Sequence, residues 1–437
     1  PGRTQKYLHS QAVNFIVEKS NPHKINLRTL RLNVQKEEMG KSQEVRIKYA
    51  SKNASVSNAW KKWQGETKGI IRLNTIQNKR EFEDRFRVWA KDREQYRYVL
   101  CQMDSLYAQL EPYAFVADYF NEAIIANEIL RHARSLSTIV RRSKNISDDQ
   151  LRNLLTEEFE SFEKDYYIPI DRRSFELLIN EYINNIDPKY QPQYIKDLII
   201  EKGGVGEVAD FIFNNTNLVN SNKFKKLLEA TNFRELIDLD VATIFYSNFN
   251  NHYSENIRPT MDSLNSNITL LYRTYMRGMM EFDTDREFYP DANSTLRITY
   301  GNVGGYRPKD GVWYKHQSTI EGIMQKDNPD IYDYNIPQKL RDLYSNRDFG
   351  QWTVDGTVPV CFIGTNHTSG GNSGSPVINS RGELIGINFD RVWEGTMSDI
   401  DFDPEMCRNI TLDIRYVLFI VDKLAGASHL IDEMEIL

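Results

Sequence analysis

The segment GNSGSP, residues 371–376, combines residue types and a spacing that suit acyl-transfer chemistry. A serine hydroxyl can attack a carbonyl carbon, and the backbone N–H groups of Gly371 and Ser373 stand two residues apart, so both can converge on the oxyanion that forms. Glycines at 371 and 374 permit the sharp turn that this geometry requires. Residues 375–390 then predict a strand, a turn and a returning strand. The pattern favours Ser373 as a nucleophile over a glycine- and serine-rich loop without chemistry.

The same segment resembles the nucleophile loop of chymotrypsin-like serine peptidases, whose usual form is GDSGGP. Asn372 replaces the aspartate and Ser375 replaces the second glycine. In that clan a histidine and an aspartate on a first β-barrel activate a serine on the second. The histidines of this chain are His9, His23, His132, His252, His316, His367 and His429. None has the strand-end context of the catalytic histidine, and His367, on the serine loop itself, is interpreted as a polar loop residue.

We therefore expect the catalytic histidine and aspartate to lie on an N-terminal barrel that is absent from this chain. The first residue, Pro1, is not a methionine, which favours a native start further upstream. A serine without its base is a poor nucleophile, so the 437-residue chain alone is expected to be inactive.

The rest of the chain divides into two regions with different patterns. No glycine occurs between Ile70 and Lys202, and apolar residues recur at steps of three and four from Phe82 to Leu110, which indicates helices. Helix breaks are predicted at Pro112, at 144–149 and at 167–171. Short strands are predicted at 296–300, 358–363, 375–379 and 383–388, followed by a helix over 414–434. The fold class is multidomain α and β, with an all-helical domain over 1–290 and a β-domain over 291–437.

The composition excludes several classes of protein. A chain of 437 residues with 40% hydrophobic and 27% charged residues can fold into two or three packed domains. Its net charge of −6 argues against nucleic acid or an anionic membrane as a partner, and its longest apolar run, YVLFIV, is too short to cross a bilayer. The three cysteines are widely spaced, which indicates neither a disulfide framework nor a zinc site. No metal or other cofactor is expected.

Three segments sharpen the resemblance: FYPDANSTLRITYGNVGGY at 288–306, the stretch around the serine loop at 358–390, and ITLDIRYVLFIVDK at 410–423. Together they resemble bacterial dipeptidyl peptidases of the chymotrypsin-like clan, over essentially the whole chain. The resemblance implies a double β-barrel with the helical domain inserted as a cap over the active site, so that 291–437 would form the C-terminal barrel. It also implies homodimers in the periplasm or on the cell surface of a Gram-negative bacterium. Their reaction would be metal-free release of dipeptides from peptides with a free N-terminus.

Arg391 bears on the substrate preference that the resemblance implies. Members of this family divide by the residue eighteen positions after the serine, where glycine accompanies apolar substrates and arginine accompanies Asp or Glu before the scissile bond. That position is Arg391 here. A guanidinium can bind a carboxylate in a forked, charge-assisted pair, which agrees with the acidic preference. One departure is His367, where the family more often has an acidic residue.

An exopeptidase of this kind must also bind the free α-ammonium group of its substrate, which requires acceptor oxygens. Asp390 resembles the amine-binding acid of the family, and Asn58, in the segment YASKNASVSNAWKKWQGE, resembles the asparagine that the helical domain contributes. Asn53 is the second choice. The alternatives to these roles are a turn aspartate and a helix N-cap.

Two other functions fit parts of the sequence. A glutamyl endopeptidase would share the serine loop and an acid-binding pocket, but it has no need of a long helical domain. A non-catalytic helical scaffold with a degenerate barrel is disfavoured by the intact serine loop.

Overall fold

The computed structural model describes residues 2–437, so the start at Pro1 lies outside the described residues. The chain forms two compact units. The first contains His9–Gln64 and Ile76–Arg286, and the second contains the residues up to Leu8, Gly65–Thr75 and Glu287–Leu437. Two short segments that we expected in the helical domain, those before His9 and at Gly65–Thr75, therefore belong to the second unit.

The first unit is helical. The helices are α1 (Ser10–Phe15), α2 (Asn21–Lys41), α3 (Gln43–Arg72), α4 (Thr75–Ala90), α5 (Val99–Tyr119), α6 (Glu128–Arg142), α7 (Asp148–Glu163), α8 (Ile168–Asn185), α9 (Gln193–Lys202), α10 (Val205–Asn215), α11 (Ser221–Glu229), α12 (Phe233–Asp238), α13 (Val241–His252) and α14 (Arg258–Phe282). The end of α3, from Gly65, lies in the second unit. The breaks predicted at 144–149 and 167–171 are confirmed.

The break predicted at Pro112 is wrong, because this proline lies inside α5. A proline costs a helix one hydrogen bond, but packing of the helix against its neighbours can offset that loss. Leu110 on α5 packs in one apolar cluster with Leu264 and Ile268 on α14. The chain turns earlier instead, between α4 and α5, where the ring of Trp89 stacks on that of Tyr96 at 5.3 Å.

The start of α6 is capped from a distance by α8. The carboxylate of Asp171 accepts the backbone N–H groups of Glu128 at 2.8 Å and Ile129 at 2.7 Å, and it also accepts the hydroxyl of Tyr166 at 3.0 Å. These N–H groups have no partner within the helix, and a carboxylate at this end is favoured by the helix dipole. The cap therefore fixes the position of Glu128, whose side chain faces α3.

The second unit contains short strands and short helices. The strands are β1 (Tyr306–Lys309), β2 (Val312–Tyr314), β3 (Gln317–Thr319), β4 (Pro359–Gly364), β5 (Pro376–Ile378), β6 (Leu384–Arg391) and β7 (Asn409–Asp413), and the helices are α15 (Ile320–Gln325), α16 (Gln338–Ser345) and α17 (Ile414–Phe419). The strands predicted at 358–363, 375–379 and 383–388 are confirmed as β4, β5 and β6. The continuous helix that begins with α17 ends at Leu424, before Gly426 at φ +69°, and only a short helical turn, Ser428–Leu430, follows, so the predicted terminal helix is shorter than expected.

The main sheet is antiparallel, with strand order β3-β4-β7-β6-β5. Its edge strands β3 and β5 do not pair with each other, so residues 2–437 do not form the closed barrel that we expected. The strand predicted at 296–300 is also missing from the described residues. Leu296, Ile298 and Tyr300 are each more than 90% exposed there. A strand requires a partner for its N–H and C=O groups, and none of the described strands pairs with this segment.

The core of the second unit lies between the sheet and its helices, where Ile320, Phe349, Trp352, Val358 and Phe419 are buried together. The three cysteines are free thiols. Among the described helices, none combines the length and the apolar character that crossing a bilayer demands.

Candidate active site

The loop between β4 and β5 carries Ser373 and is attached to β6 by backbone hydrogen bonds. The N–H of Gly374 donates to the carbonyl of Asn388 at 2.8 Å, and the N–H of Asn388 donates to the carbonyl of Ser375 at 2.9 Å. Gly371 and Gly374 have φ angles of +92° and +84°, which favour glycine over any residue with a Cβ. The two glycines that the sequence analysis singled out are therefore required by the turn itself.

Ser373 is exposed, and its Oγ donates a hydrogen bond to the carbonyl of Phe389 at 3.1 Å. The pairing of β6 with β7 shifts register between Asn388 and Asp390, so Phe389 lies at a bulge of the strand. Within residues 2–437 the N–H groups of Gly371 and Ser373 have no acceptor. The loop thus carries an accessible hydroxyl and two N–H groups without an acceptor, which are groups of the kind that acyl transfer uses together with a base.

The described residues provide no base for Ser373, and His367 is not bonded to it. The Nε2 atom of His367 is buried without a hydrogen-bond partner, and its ring packs on Phe402 with centroids 4.7 Å apart. Burial, with a further contribution from the positive charges of Lys6 and Arg391, lowers the pKa of His367 to about 4. His367 is therefore neutral at pH 7 and acts as a packing residue of the loop.

This histidine gives the protein an acid-sensitive contribution to stability. Because the pKa of His367 is lower in the folded state than its ordinary value of 6.5, the unfolded chain binds more protons between these values, and stability falls as pH drops from about 6.5 to 4. We expect His367→Gln to reduce this loss by roughly 1–3 kcal/mol. The measurement is the free energy of unfolding at pH 7 and pH 4.5. His429→Gln, which alters an exposed histidine, is the control, and an equal effect of both substitutions would contradict this assignment.

Arg391, at the end of β6, is engaged in a buried ion pair that the sequence analysis did not find. Its Nη1 donates to Asp399 Oδ1 and to Ser398 Oγ, both at 2.7 Å, and its Nη2 donates to Asp399 Oδ2 at 3.3 Å. The side chains of Arg391 and Asp399 are only 15% and 9% exposed. No local sequence pattern predicts Asp399 as the partner of Arg391. The short helix Trp393–Asp399 turns the chain so that Asp399 lies next to the end of β6.

Asp399 and Ser398 together accept three of the five N–H donors of Arg391. The Nε–H and the second Nη2–H have no partner among the described residues, and these two donors point along the same edge of the guanidinium. Arg391 therefore keeps two unused donors on one edge while Asp399 keeps its own bonds. Arg391 lines a small cavity together with His367, Thr368 and Asn409.

Asp390 and Asn58, the two acceptors expected to bind an ammonium group, both have exposed side chains. Asp390 is exposed next to Arg391 on β6, and its Oδ1 accepts the N–H of Arg391 at 2.7 Å. Asn58 lies on α3 with an exposed side chain that forms no hydrogen bond within residues 2–437. The amide of Asn53 donates to Gln35 Oε1 at 3.1 Å and is therefore less available than that of Asn58.

Within the described part of the chain, no group of three or more histidine, cysteine, aspartate and glutamate side chains is arranged to hold a metal ion.

The chain is similar to known peptidases. The family model described as Peptidase S46 matches residues 1–436. The chain is 42% identical to an Asp/Glu-specific dipeptidyl-peptidase of Flavobacterium psychrophilum and 35% identical to a dipeptidyl-peptidase 7 of Phocaeicola vulgatus, and each match covers 100% of this chain. It spans 62% and 61% of the length of these relatives. The crystal structure of Porphyromonas endodontalis DPP11 in complex with the dipeptide Arg-Asp matches with a TM-score of 0.89 at 30% identity, over 100% of this chain and 63% of that one.

Proposed function

The chain belongs to the peptidase S46 family, and from this premise we propose that it carries the nucleophile and the specificity pocket of a serine dipeptidyl peptidase that cuts after Asp or Glu. The observation that carries the proposal is the arrangement of β5 and β6. The exposed Ser373 precedes β5, and Arg391 ends the strand to which the Ser373 loop is hydrogen-bonded. The proposed nucleophile, Ser373, and the proposed specificity residue, Arg391, thus belong to one β-hairpin and the loop before it.

In the proposed reaction, Ser373 Oγ attacks the carbonyl carbon of the second residue of the peptide. The backbone N–H groups of Gly371 and Ser373 stabilise the oxyanion, and they are unused in the described structure. The proton of Ser373 passes to a histidine held by an aspartate, and the histidine gives it to the leaving amine as the C–N bond breaks. Water then hydrolyses the ester between the dipeptide and Ser373, which releases the dipeptide and restores the serine. We assign the histidine and the aspartate to an N-terminal barrel outside this chain, because the described residues offer Ser373 only the carbonyl of Phe389.

The acidic preference is assigned to Arg391. Asp399 neutralises the guanidinium but leaves its Nε edge free, so a substrate carboxylate can form a second fork on that edge. An apolar side chain at this place would leave these donors buried and unpaired, which disfavours it. The relative of Flavobacterium psychrophilum, described as Asp/Glu-specific, supports this branch of the family.

The restriction to dipeptides is assigned to acceptors for the α-ammonium group. Asp390 supplies a carboxylate, and Asn58 supplies an amide oxygen. The substrates are then peptides with a free N-terminus, and neither metal nor cofactor takes part. The family resemblance supports a homodimer in the periplasm or on the cell surface of a Gram-negative bacterium, with the helical domain as a cap.

The proposal is tested with the complete enzyme, which includes the proposed N-terminal barrel, and a matched pair of reporters. We expect release of the reporter group from X-Asp and X-Glu dipeptides with a free N-terminus, and little release from the same dipeptides after N-acetylation, because acetylation removes the ammonium charge. Cleavage of the acetylated reporters at similar rates would favour a glutamyl endopeptidase. Failure of a fluorophosphonate to label Ser373 would favour a non-catalytic scaffold.

A further inference from the structure

The helical unit contains a polar cavity of about 400 Å³ that plays no part in the reaction proposed above. It lies among α2, α3, α6 and the residues that follow α5. Its charged lining residues are Arg28, Arg31, Lys52, Glu122, Glu128 and Arg131. Four cations thus face two carboxylates, which leaves the cavity with a net charge of +2.

The two carboxylates are already engaged. Glu122 accepts a bidentate fork from Arg28, at 2.9 Å to Nε and 2.8 Å to Nη2, and Arg28 donates a further bond to the carbonyl of Val56 at 3.0 Å. Glu128, which is fixed by the cap on α6, accepts Lys52 Nζ at 2.5 Å. These pairs are partly buried, so each carboxylate is committed to one cation.

Arg31 and Arg131 are the cations left over, because neither forms an ion pair or a hydrogen bond with any residue of the described chain. Arg31 lies on α2 and is partly buried. Burial and the neighbouring charges of Arg28 and Arg131 lower its pKa, whereas Glu122 and Glu128 only partly oppose this. A poorly solvated guanidinium without a counter-ion is unfavourable, and a bound anion would remove that penalty.

Neutral polar groups complete the lining. Ser51 and Ser55 on α3 and Asn121 after α5 face the cavity. Gln35 faces it as well, and its Oε1 accepts the amide of Asn53, so its own NH₂ group can donate. Forked guanidinium donors supported by hydroxyl and amide groups are the usual way in which proteins bind oxyanions.

We propose that this cavity is a binding site for a small dianion, whose oxygens are held by the guanidinium groups of Arg31 and Arg131. The net charge of the lining matches two negative charges, and the volume accommodates an inorganic phosphate or a small dicarboxylate. The site joins α2, α3 and α6, so a bound dianion stabilises the packing of these helices. This inference does not depend on the peptidase activity.

The test is a titration of the purified protein with sodium phosphate and, separately, with sodium succinate, followed by calorimetry and by thermal unfolding. Ionic strength is held constant with sodium chloride, because screening alone changes stability. We expect saturable binding of at least one anion and a matching, saturable rise in Tm, since a ligand that binds only the folded state stabilises it. Binding of phosphate alone, of succinate alone, or of both supports the site and identifies the oxyanion it takes.

Arg31→Met should weaken this binding by roughly 10- to 100-fold, because it removes the forked charged donor and keeps an apolar stem. Arg273→Met, which removes an exposed arginine of the same unit, is the matched control and should bind as the unmodified protein does. If Arg31→Met does not fold, Arg31→Lys replaces it, because lysine keeps the positive charge but lacks the forked donors. This variant must then bind the anion more weakly than the unmodified protein does. The proposal is overturned if neither anion binds saturably, or if the Arg31 variant that folds binds as tightly as Arg273→Met.

Discussion

Ser373→Ala in the complete enzyme is expected to reduce kcat/KM for X-Asp and X-Glu reporters by roughly 10⁴- to 10⁶-fold. Ser373 is the proposed nucleophile, and alanine removes its hydroxyl while leaving the proposed oxyanion donors in place. The fold should be unaffected, because Ser373 is exposed and its Oγ makes one hydrogen bond, to the carbonyl of Phe389. Steady-state kinetics and a thermal unfolding curve measure the two effects separately.

Ser375→Ala is the matched control for this prediction. Ser375 lies two residues further along the same loop, and its attachment to β6 uses only backbone atoms. Its loss should change kcat/KM by less than about tenfold, because surface hydroxyls without a buried partner contribute little. Residual activity of Ser373→Ala near that of Ser375→Ala would show that the nucleophile lies elsewhere.

Arg391→Gly in the complete enzyme is expected to remove the acidic preference. Loss of a buried, charge-assisted pair costs about 2–5 kcal/mol, which corresponds to roughly 30- to several-thousand-fold in kcat/KM for Asp and Glu reporters. A Leu reporter should lose little, because no unpaired donor then remains in the pocket. The comparison is kcat/KM for X-Asp, X-Glu and X-Leu reporters with both proteins.

The ion pair with Asp399 requires an additional variant. Removal of Arg391 alone leaves a carboxylate that is 9% exposed without its cation, which destabilises the pocket and repels acidic substrates. The double substitution Arg391→Gly with Asp399→Asn avoids both effects, so it measures selectivity more cleanly. Arg381→Gly, at the exposed turn before β6, is the control for loss of an arginine from the same hairpin. If kcat/KM for the acidic reporters falls no further than kcat/KM for the Leu reporter in the double variant, Arg391 does not determine the substrate preference.

Local patterns determined much of this protein. The serine loop, with its glycines at 371 and 374, could be predicted because a turn of this kind depends on φ angles that few other residues adopt. The hairpin of β5 and β6 followed from short apolar runs around a turn, and the helical character of the first region followed from glycine-free periodic sequence. Each of these features depends on residues that are close in the sequence, so neighbouring side chains suffice to specify it.

Contacts between distant segments were decided only by the tertiary structure. Pro112 stays inside a helix because α14 packs on α5, and the 296–300 run is not a strand because no described strand pairs with it. The hydrogen bond from Ser373 to Phe389 joins the serine loop to the bulge of β6. Arg391 is paired with Asp399, and Arg31 is left without a counter-ion, although the chain has 61 Asp and Glu residues for 55 Lys and Arg residues. The sequence contains every one of these charges, but which pairs form depends on distances that only the packed chain defines.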